Sequence, residues 1–102
     1  MKNIEHIGIA VRSLDVSIPL FKKLLNTPCY QIEVIESEKV RTAFFQKGES
    51  KVELLESLEE FGVISKFIEK KGEGVHHLAF EVKNIEEEIV RLKAEGDRKS
   101  VV

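Results

Sequence analysis

The pattern of apolar and polar positions changes period several times along the chain. Over Ile4 to Val11, "IEHIGIAV" mixes alternation with β-branched residues and predicts a strand. In "LDVSIPLFKKLLN", Leu14, Ile18, Phe21 and Leu25 recur at spacings of four, three and four, the stripe of a helix that Ser13 can cap. Pro19 lies inside that stripe and removes a backbone donor, so a kink or a late helix start is expected. After "NTP", strands are expected over about 30–36 and 40–46, and the tight "KGES" leads into a third, "KVELLE". Their close spacing predicts an antiparallel set.

The second half reads differently. "SLEEFGVISKFIEKKG" predicts a linking helix with Leu58, Phe61, Ile64 or Ser65, and Ile68 on one side, ended by Gly72. A strand, "GVHHLAFEV", follows. Asn84 and Glu87 then form a capping-box pattern before a helix striped by Ile85, Ile89 and Leu92, closed near Gly96, with Glu87 and Arg91 spaced to pair.

A constant offset of 71 lays "VHHLAFEVKNIEEEI" over "IEHIGIAVRSLDVSI". It pairs His6 with His77, Gly8 with Ala79, Val11 with Val82, Ser13 with Asn84 and Ile18 with Ile89, keeping residue class at each position. Such self-similarity predicts two copies of one strand-then-helix unit. Strand alternation places His77 with Val75 and Ala79, and His6 with Ile4, Gly8 and Ala10. Both repeated histidines thus stand among small neighbours that leave room for a ligand. His76, whose counterpart is Glu5, is expected on the opposite face with Leu78, Phe80 and Val82, at an edge or in a supporting contact.

Charge and composition narrow the classes of function. The chain has 102 residues, 42% hydrophobic and 33% charged, enough for one core but small enough that oligomerisation would help it. Its net charge of −2, with signs interspersed, lacks the basic face of a nucleic-acid binder. The sequence offers no apolar run long enough to span a bilayer and nothing that reads as a signal peptide, so cytoplasmic residence is the expectation. Cys29, the single cysteine, reads as a small buried hydrophobe. Phe44, Phe45 and Phe80 suit ordinary core duty.

Glu53 is the charged residue at the middle of the strongest late strand, on one face with Lys51 and Leu55. A half-buried carboxylate needs a partner. Two imidazoles and a carboxylate could hold zinc, cobalt, nickel, manganese or iron. Equally, His6, Glu53 and His77 could be pocket or interface residues satisfied by hydrogen bonds.

"HIGIAV", "KVELLE" and "GEGVHHLAFEV" followed by "NIEEEIVRLKAEG" resemble the glyoxalase, or vicinal-oxygen-chelate, superfamily, and within it most closely the methylmalonyl-CoA epimerases. The resemblance runs from about Ile4 to Gly96. It implies an α+β fold of paired βαβββ modules whose curved sheets enclose a divalent metal ion: cobalt, zinc, nickel or manganese. Residues 1–56 would form the first module, 57–72 the linking helix and 73–102 the opening of a second, all in one compact domain. The resemblance also implies that His6, Glu53 and His77 are metal ligands and that Glu53 is catalytic. The family's fourth ligand is a carboxylate in the second module, which the offset of 71 would place at position 124, beyond Val102; an incomplete second module is therefore expected. A second glutamate that serves some epimerases as a base corresponds to Thr42, which cannot play that part, although Glu36 or Glu38 could approach.

The activity so implied is an epimerase acting on a methylmalonyl-CoA-like thioester by α-proton transfer, or alternatively a glyoxalase-type lyase. The competing expectation is a non-catalytic or small-molecule-binding member that forms a homodimer through an open strand edge.

Overall fold

The computed structural model describes residues 3–82 and 84–94. The chain runs β1 (Ile4–Ala10), α1 (Leu14–Leu25), β2 (Gln31–Ile35), β3 (Val40–Lys47), β4 (Ser50–Ser57), α2 (Val63–Lys71), β5 (Gly74–Phe80) and α3 (Ile85–Ala94). The first five elements make a βαβββ module, and β5 with α3 repeats its opening pair. This is the α+β arrangement the sequence predicts, and among the described residues the second module consists of its opening strand and helix. The predicted closure of the last helix at Gly96 lies outside the described residues.

One five-stranded sheet has the order β2-β3-β4-β1-β5. Strands β2, β3 and β4 are successive antiparallel neighbours, as their short connections dictate. Strand β4 lies beside β1 in parallel, with α1, β2 and β3 between them in the chain, and β5 pairs antiparallel with β1 on its other side.

That last pairing turns the sequence repeat into a local twofold. His6 lies opposite Ala79 and Gly8 opposite His77, which are the same pair under the 71-residue offset. Ile7 lies opposite Leu78, its own counterpart, so the local axis passes between them. The register shifts once on each strand, leaving Glu5 as the extra residue on β1 and His76 as the extra residue on β5. Two β-bulges therefore stand at equivalent positions of the two copies.

Alternation sorts each strand between two apolar layers. On one face Ala43, Phe45, Val52 and Leu54 pack with Val11 and Leu14, with Ile18, Phe21 and Leu25 of α1 laid over them. The predicted helix stripe is the part of α1 that covers the sheet. Ser13 caps α1 by accepting the Val16 N–H, and Glu56 accepts the Leu14 N–H at 2.7 Å while pairing with Arg41 at 3.1 Å. A carboxylate at that end suits the exposed backbone donors of the first turn. Pro19 is accommodated within the helix, which starts at Leu14, so the late start does not occur. Cys29 is half-buried against this layer.

On the opposite face Ala10, Val40, Leu55 and Ile64 form a second cluster with Ile35, Phe67 and Ile68. Helix α2 supplies Ile64, Phe67 and Ile68, but it is shorter than the sequence predicts. It begins at Val63 behind Gly62, a poor helix residue in extended conformation. The preceding segment is held as a turn because Ser57 and Ser65 both donate to the Glu59 carbonyl at 2.6 Å, leaving Leu58 and Phe61 exposed.

Helix α3 has the predicted cap, with Asn84 Oδ1 accepting the Glu87 N–H at 3.1 Å. Its arginine pairs differently: Arg91 reaches Glu88 at 2.9 Å, one residue nearer than Glu87 and equally within reach on a helix face.

Candidate functional site

The α2 cluster covers only part of its sheet face. Beyond it lies a cavity of about 660 Å3, and His6, Thr42, Glu53, His76 and His77 are among its lining residues. Apolar side chains of Val40, Leu55, Phe61, Val63 and Ile64 contribute the other part of the wall, with Glu38, Lys39 and Lys66 also present.

Each predicted site residue reaches this cavity from a different strand. His6 comes from β1, Glu53 from β4 and His77 from β5, whereas Glu36 stands outside the lining and pairs with Lys39. His6 and His77 meet through their Nε2 atoms at 3.1 Å, with rings edge to face at a centroid distance of 5.1 Å. The opposite nitrogen of His6, Nδ1, lies 2.9 Å from Glu5 and 3.5 Å from Glu53. Gly8 makes the approach of His77 feasible, because a Cβ at that position would overlap the His77 imidazole. The small residue beside the repeated histidine thus holds the room its partner ring occupies.

His76 requires a correction. The alternation that sends it away from His77 is broken by the bulge, which puts consecutive residues on one side of a strand. His76 therefore lines the cavity, its Nδ1 2.9 Å from Nδ1 of His77, while its ring packs edge-on to Phe67 at 5.0 Å. For the same reason Val75, opposite Ile9, does not share the face of His77. Glu5 and His76 are the functional candidates that sequence reasoning missed. Their one signal was that the repeat aligns them with each other, each directly before a repeated histidine.

Burial sets the electrostatics. The Glu53 carboxyl is pushed above the usual carboxylate range chiefly by desolvation, against an opposing pull from His6. His77 is pushed below the usual imidazole range, first by burial and then by the neighbouring His6 and His76. Glu5 moves down, mainly through its hydrogen bond with His6. Thr42 is fully buried in the cavity wall and its hydroxyl has no hydrogen-bond partner among the described residues. Phe44, Phe45 and Phe80 lie elsewhere: Phe45 is in the α1 layer and Phe44 stacks near Tyr30.

The donor set can be tested against a divalent ion. Two imidazole nitrogens bound at about 2.0–2.1 Å with angles of about 90–110° lie roughly 2.8–3.4 Å apart, so a separation of 3.1 Å suits two ligands of one ion. Glu53 does not join them in this arrangement, since it faces the other nitrogen of His6. Among the described residues no group of three or more His, Cys, Asp or Glu side chains is placed to hold a metal. The histidine pair fits an ion; the three-ligand set does not form here.

A match to the glyoxalase/bleomycin resistance protein/dioxygenase superfamily spans residues 5–100. The chain belongs to this superfamily. It is 38% identical over 92 residues to the uncharacterised protein YqjC of Bacillus subtilis, covering 90% of this chain and 66% of YqjC. A hypothetical protein of Bacillus halodurans has a solved structure similar to it at TM-score 0.82 and 45% identity, over 94% of this chain and 70% of that one. The methylmalonyl-CoA epimerase of Mycobacterium tuberculosis is similar at TM-score 0.77 and 31% identity, over 94% of this chain and 65% of the enzyme. This superfamily member thus spans about two thirds of the length of these relatives. No helix among its described residues is long and apolar enough to cross a membrane.

Proposed function

We propose that this chain is a small-molecule-binding member of the superfamily whose cavity takes an acyl-thioester-like ligand, and that it acts as a homodimer. The observation that carries this reading is the two-sided cavity: Leu55, Ile64 and Val40 form an apolar wall for an acyl group, and the histidines, Glu53 and Thr42 face it with polar atoms. Pockets that orient small ligands combine a largely apolar lining with a few placed polar groups. The buried Thr42 hydroxyl, without a hydrogen-bond partner among the described residues, would donate to a ligand oxygen. Strand β5, at the edge of the sheet with Val75 and Leu78 exposed, is the edge through which a second copy would pair.

A second reading, epimerisation of a methylmalonyl-CoA-like thioester, is favoured by the similarity to the tuberculosis epimerase. Under it His6 and His77 would hold a divalent ion such as cobalt, zinc, nickel or manganese, and Glu53 would have to turn from the Nδ1 side of His6 to become a third ligand. When bound, that ion polarises the thioester carbonyl and so acidifies the α-carbon. Glu53 would take the α-proton from one face of the ligand, and inversion would need a proton delivered to the opposite face by a second acid, for which the cavity lining offers Glu38. Thr42 would orient the carbonyl or carboxylate and could not accept a proton.

Calorimetric titration of the whole chain with methylmalonyl-CoA and with free coenzyme A, with and without cobalt, tests both readings. Saturable binding of the thioester that weakens at least about tenfold in His77→Ala is expected, by analogy with loss of a buried polar contact. Absence of saturation by any acyl-CoA under either condition would overturn the binding reading. Incorporation of solvent deuterium into methylmalonyl-CoA, abolished in Glu53→Gln, separates the enzyme from the binding protein. Binding without exchange would leave the first reading alone standing. Light scattering of the purified chain should give twice the monomer mass, and a monomer would sink the dimer.

A further inference from the structure

Each of the two histidines that meet across the β1–β5 seam is preceded by the extra residue of a β-bulge. In both copies that residue is turned back onto the histidine that follows it. Glu5 Oε2 lies 2.9 Å from Nδ1 of His6, and Nδ1 of His76 lies 2.9 Å from Nδ1 of His77. We propose that Glu5 and His76 are matched positioning residues, which hold the rings of His6 and His77 by Nδ1 so that both Nε2 atoms are presented at one point of the cavity. This inference rests on the reading of those two histidines as the working groups of the cavity.

The chemistry of the two supports differs, and the difference sets the roles of the rings. An ionised carboxylate only accepts hydrogen bonds, and a neutral imidazole carries one N–H. Glu5 sets one carboxylate oxygen 2.9 Å from Nδ1 of His6 and the other 3.6 Å from Nζ of Lys51. It therefore draws the imidazole proton of His6 to Nδ1 and leaves a lone pair on Nε2. Glu53 competes for the same nitrogen from 3.5 Å, but Glu5 is the nearer, which leaves the Glu53 carboxylate available to the cavity.

His76 is an imidazole and can either donate to His77 or accept from it. Without a ligand, the Nε2–H of His77 donates to the Nε2 of His6, and His76 donates to Nδ1 of His77. When a cation or an electrophilic group takes the place between the Nε2 atoms, His77 carries its proton on Nδ1 and His76 accepts it. His6 is thus a ring with a fixed tautomer and His77 a ring with an adjustable one. Phe67, edge-on to the His76 ring at 5.0 Å, braces the adjustable side. Supports of this kind on the far nitrogen of a working histidine govern both ring orientation and ligand strength.

Long-range 1H–15N NMR on the labelled, metal-free chain locates the ring protons directly. We expect His6 to carry its proton on Nδ1. Glu5→Ala should convert His6 to a mixture of tautomers, while Glu5→Gln, whose amide oxygen still accepts, should restore the Nδ1–H form. His76→Ala should shift the tautomer population of His77. Cobalt(II) absorbance titration should show affinity weakened by roughly 10–100-fold in both alanine variants. An Nε2–H form of His6 in the wild-type chain, or rings unmoved by Glu5→Ala and His76→Ala, would overturn the proposal. If His6→Ala leaves thioester and cobalt binding at the wild-type level, it is the underlying reading of the histidines that fails, and the NMR result still decides what Glu5 and His76 do.

Discussion

Strands β1 and β5 carry copies of one sequence pattern, yet they occupy unlike places. Strand β1 lies between β4 and β5, and its Ile9 packs beneath the α1 layer. Strand β5 is at the edge, and the side chains on its far face are open: Leu78 is 43% exposed, where Leu54 on β4 has no exposure at all. Helix α1 buries Leu14 and Ser17, whereas no residue of α3 is buried among those described. The repeat therefore fixes a backbone plan and the inward-facing histidines, while the neighbours supplied by the rest of the module decide how much each copy contributes to stability. A local twofold in the chain gives geometric symmetry without energetic symmetry.

Three measurements can break or sharpen that comparison. The largest difference is expected between layers. Leu54→Ala should cost about 2–5 kcal/mol in urea unfolding, because it empties a filled site, and Leu78→Ala less than about 1 kcal/mol. Equal costs would mean that β5 is covered as well as β4. The next concerns the pair Gly8 and Ala79, equivalent under the repeat. Gly8→Ala should destabilise by about 1–3 kcal/mol and weaken any ligand binding that depends on His77, since the new methyl takes the space of that ring. Ala79→Gly should cost only about 0.5–1 kcal/mol through strand entropy. A Gly8→Ala variant with the His77 ring unmoved by NMR would refute the steric account.

The smallest effect is on pH dependence. His77 has a folded-state pKa below the unfolded value of about 6.5, so the folded state binds fewer protons. Its contribution to stability is present above that value and is lost as the pH falls below it. The raised pKa of Glu53 runs the other way: the folded state binds protons more tightly, and stability declines as the pH rises above the ordinary carboxylate range. His77→Gln should flatten the decline on the acid side of neutrality, and Glu53→Gln the decline that begins at lower pH. Melting curves between pH 4 and pH 8 that respond to neither substitution would show that both groups are better solvated than their burial implies.

Much of the fold was legible before any coordinates. Strand β1, the start of α1, the three antiparallel strands and β5 follow from local periodicity and turn chemistry, and the repeat pointed to His6 and His77 because class-conserving positions recur at one offset. The start of α2 was not legible, because the apolar spacing continues through Leu58 and Phe61. The turn there depends instead on two serines, Ser57 and Ser65, that find one carbonyl from opposite sides of the loop. Nor was the inward turn of His76. Strict alternation predicts the opposite face, and a bulge is a property of two strands in register, which one strand's sequence does not display.

The sequence by itself determined the strand-then-helix repeat and singled out His6, Glu53 and His77 as candidates, since these are written in spacing and residue type along single segments, and its motifs carried the resemblance to the superfamily. Only the tertiary structure decided which nitrogen of His6 faces Glu53, which residue makes room for His77, and that Glu5 and His76 stand behind the pair. Those facts depend on contacts between β1, β4 and β5, and an offset of a single residue in their pairing, as at the two bulges, is enough to turn a side chain from one face of the sheet to the other.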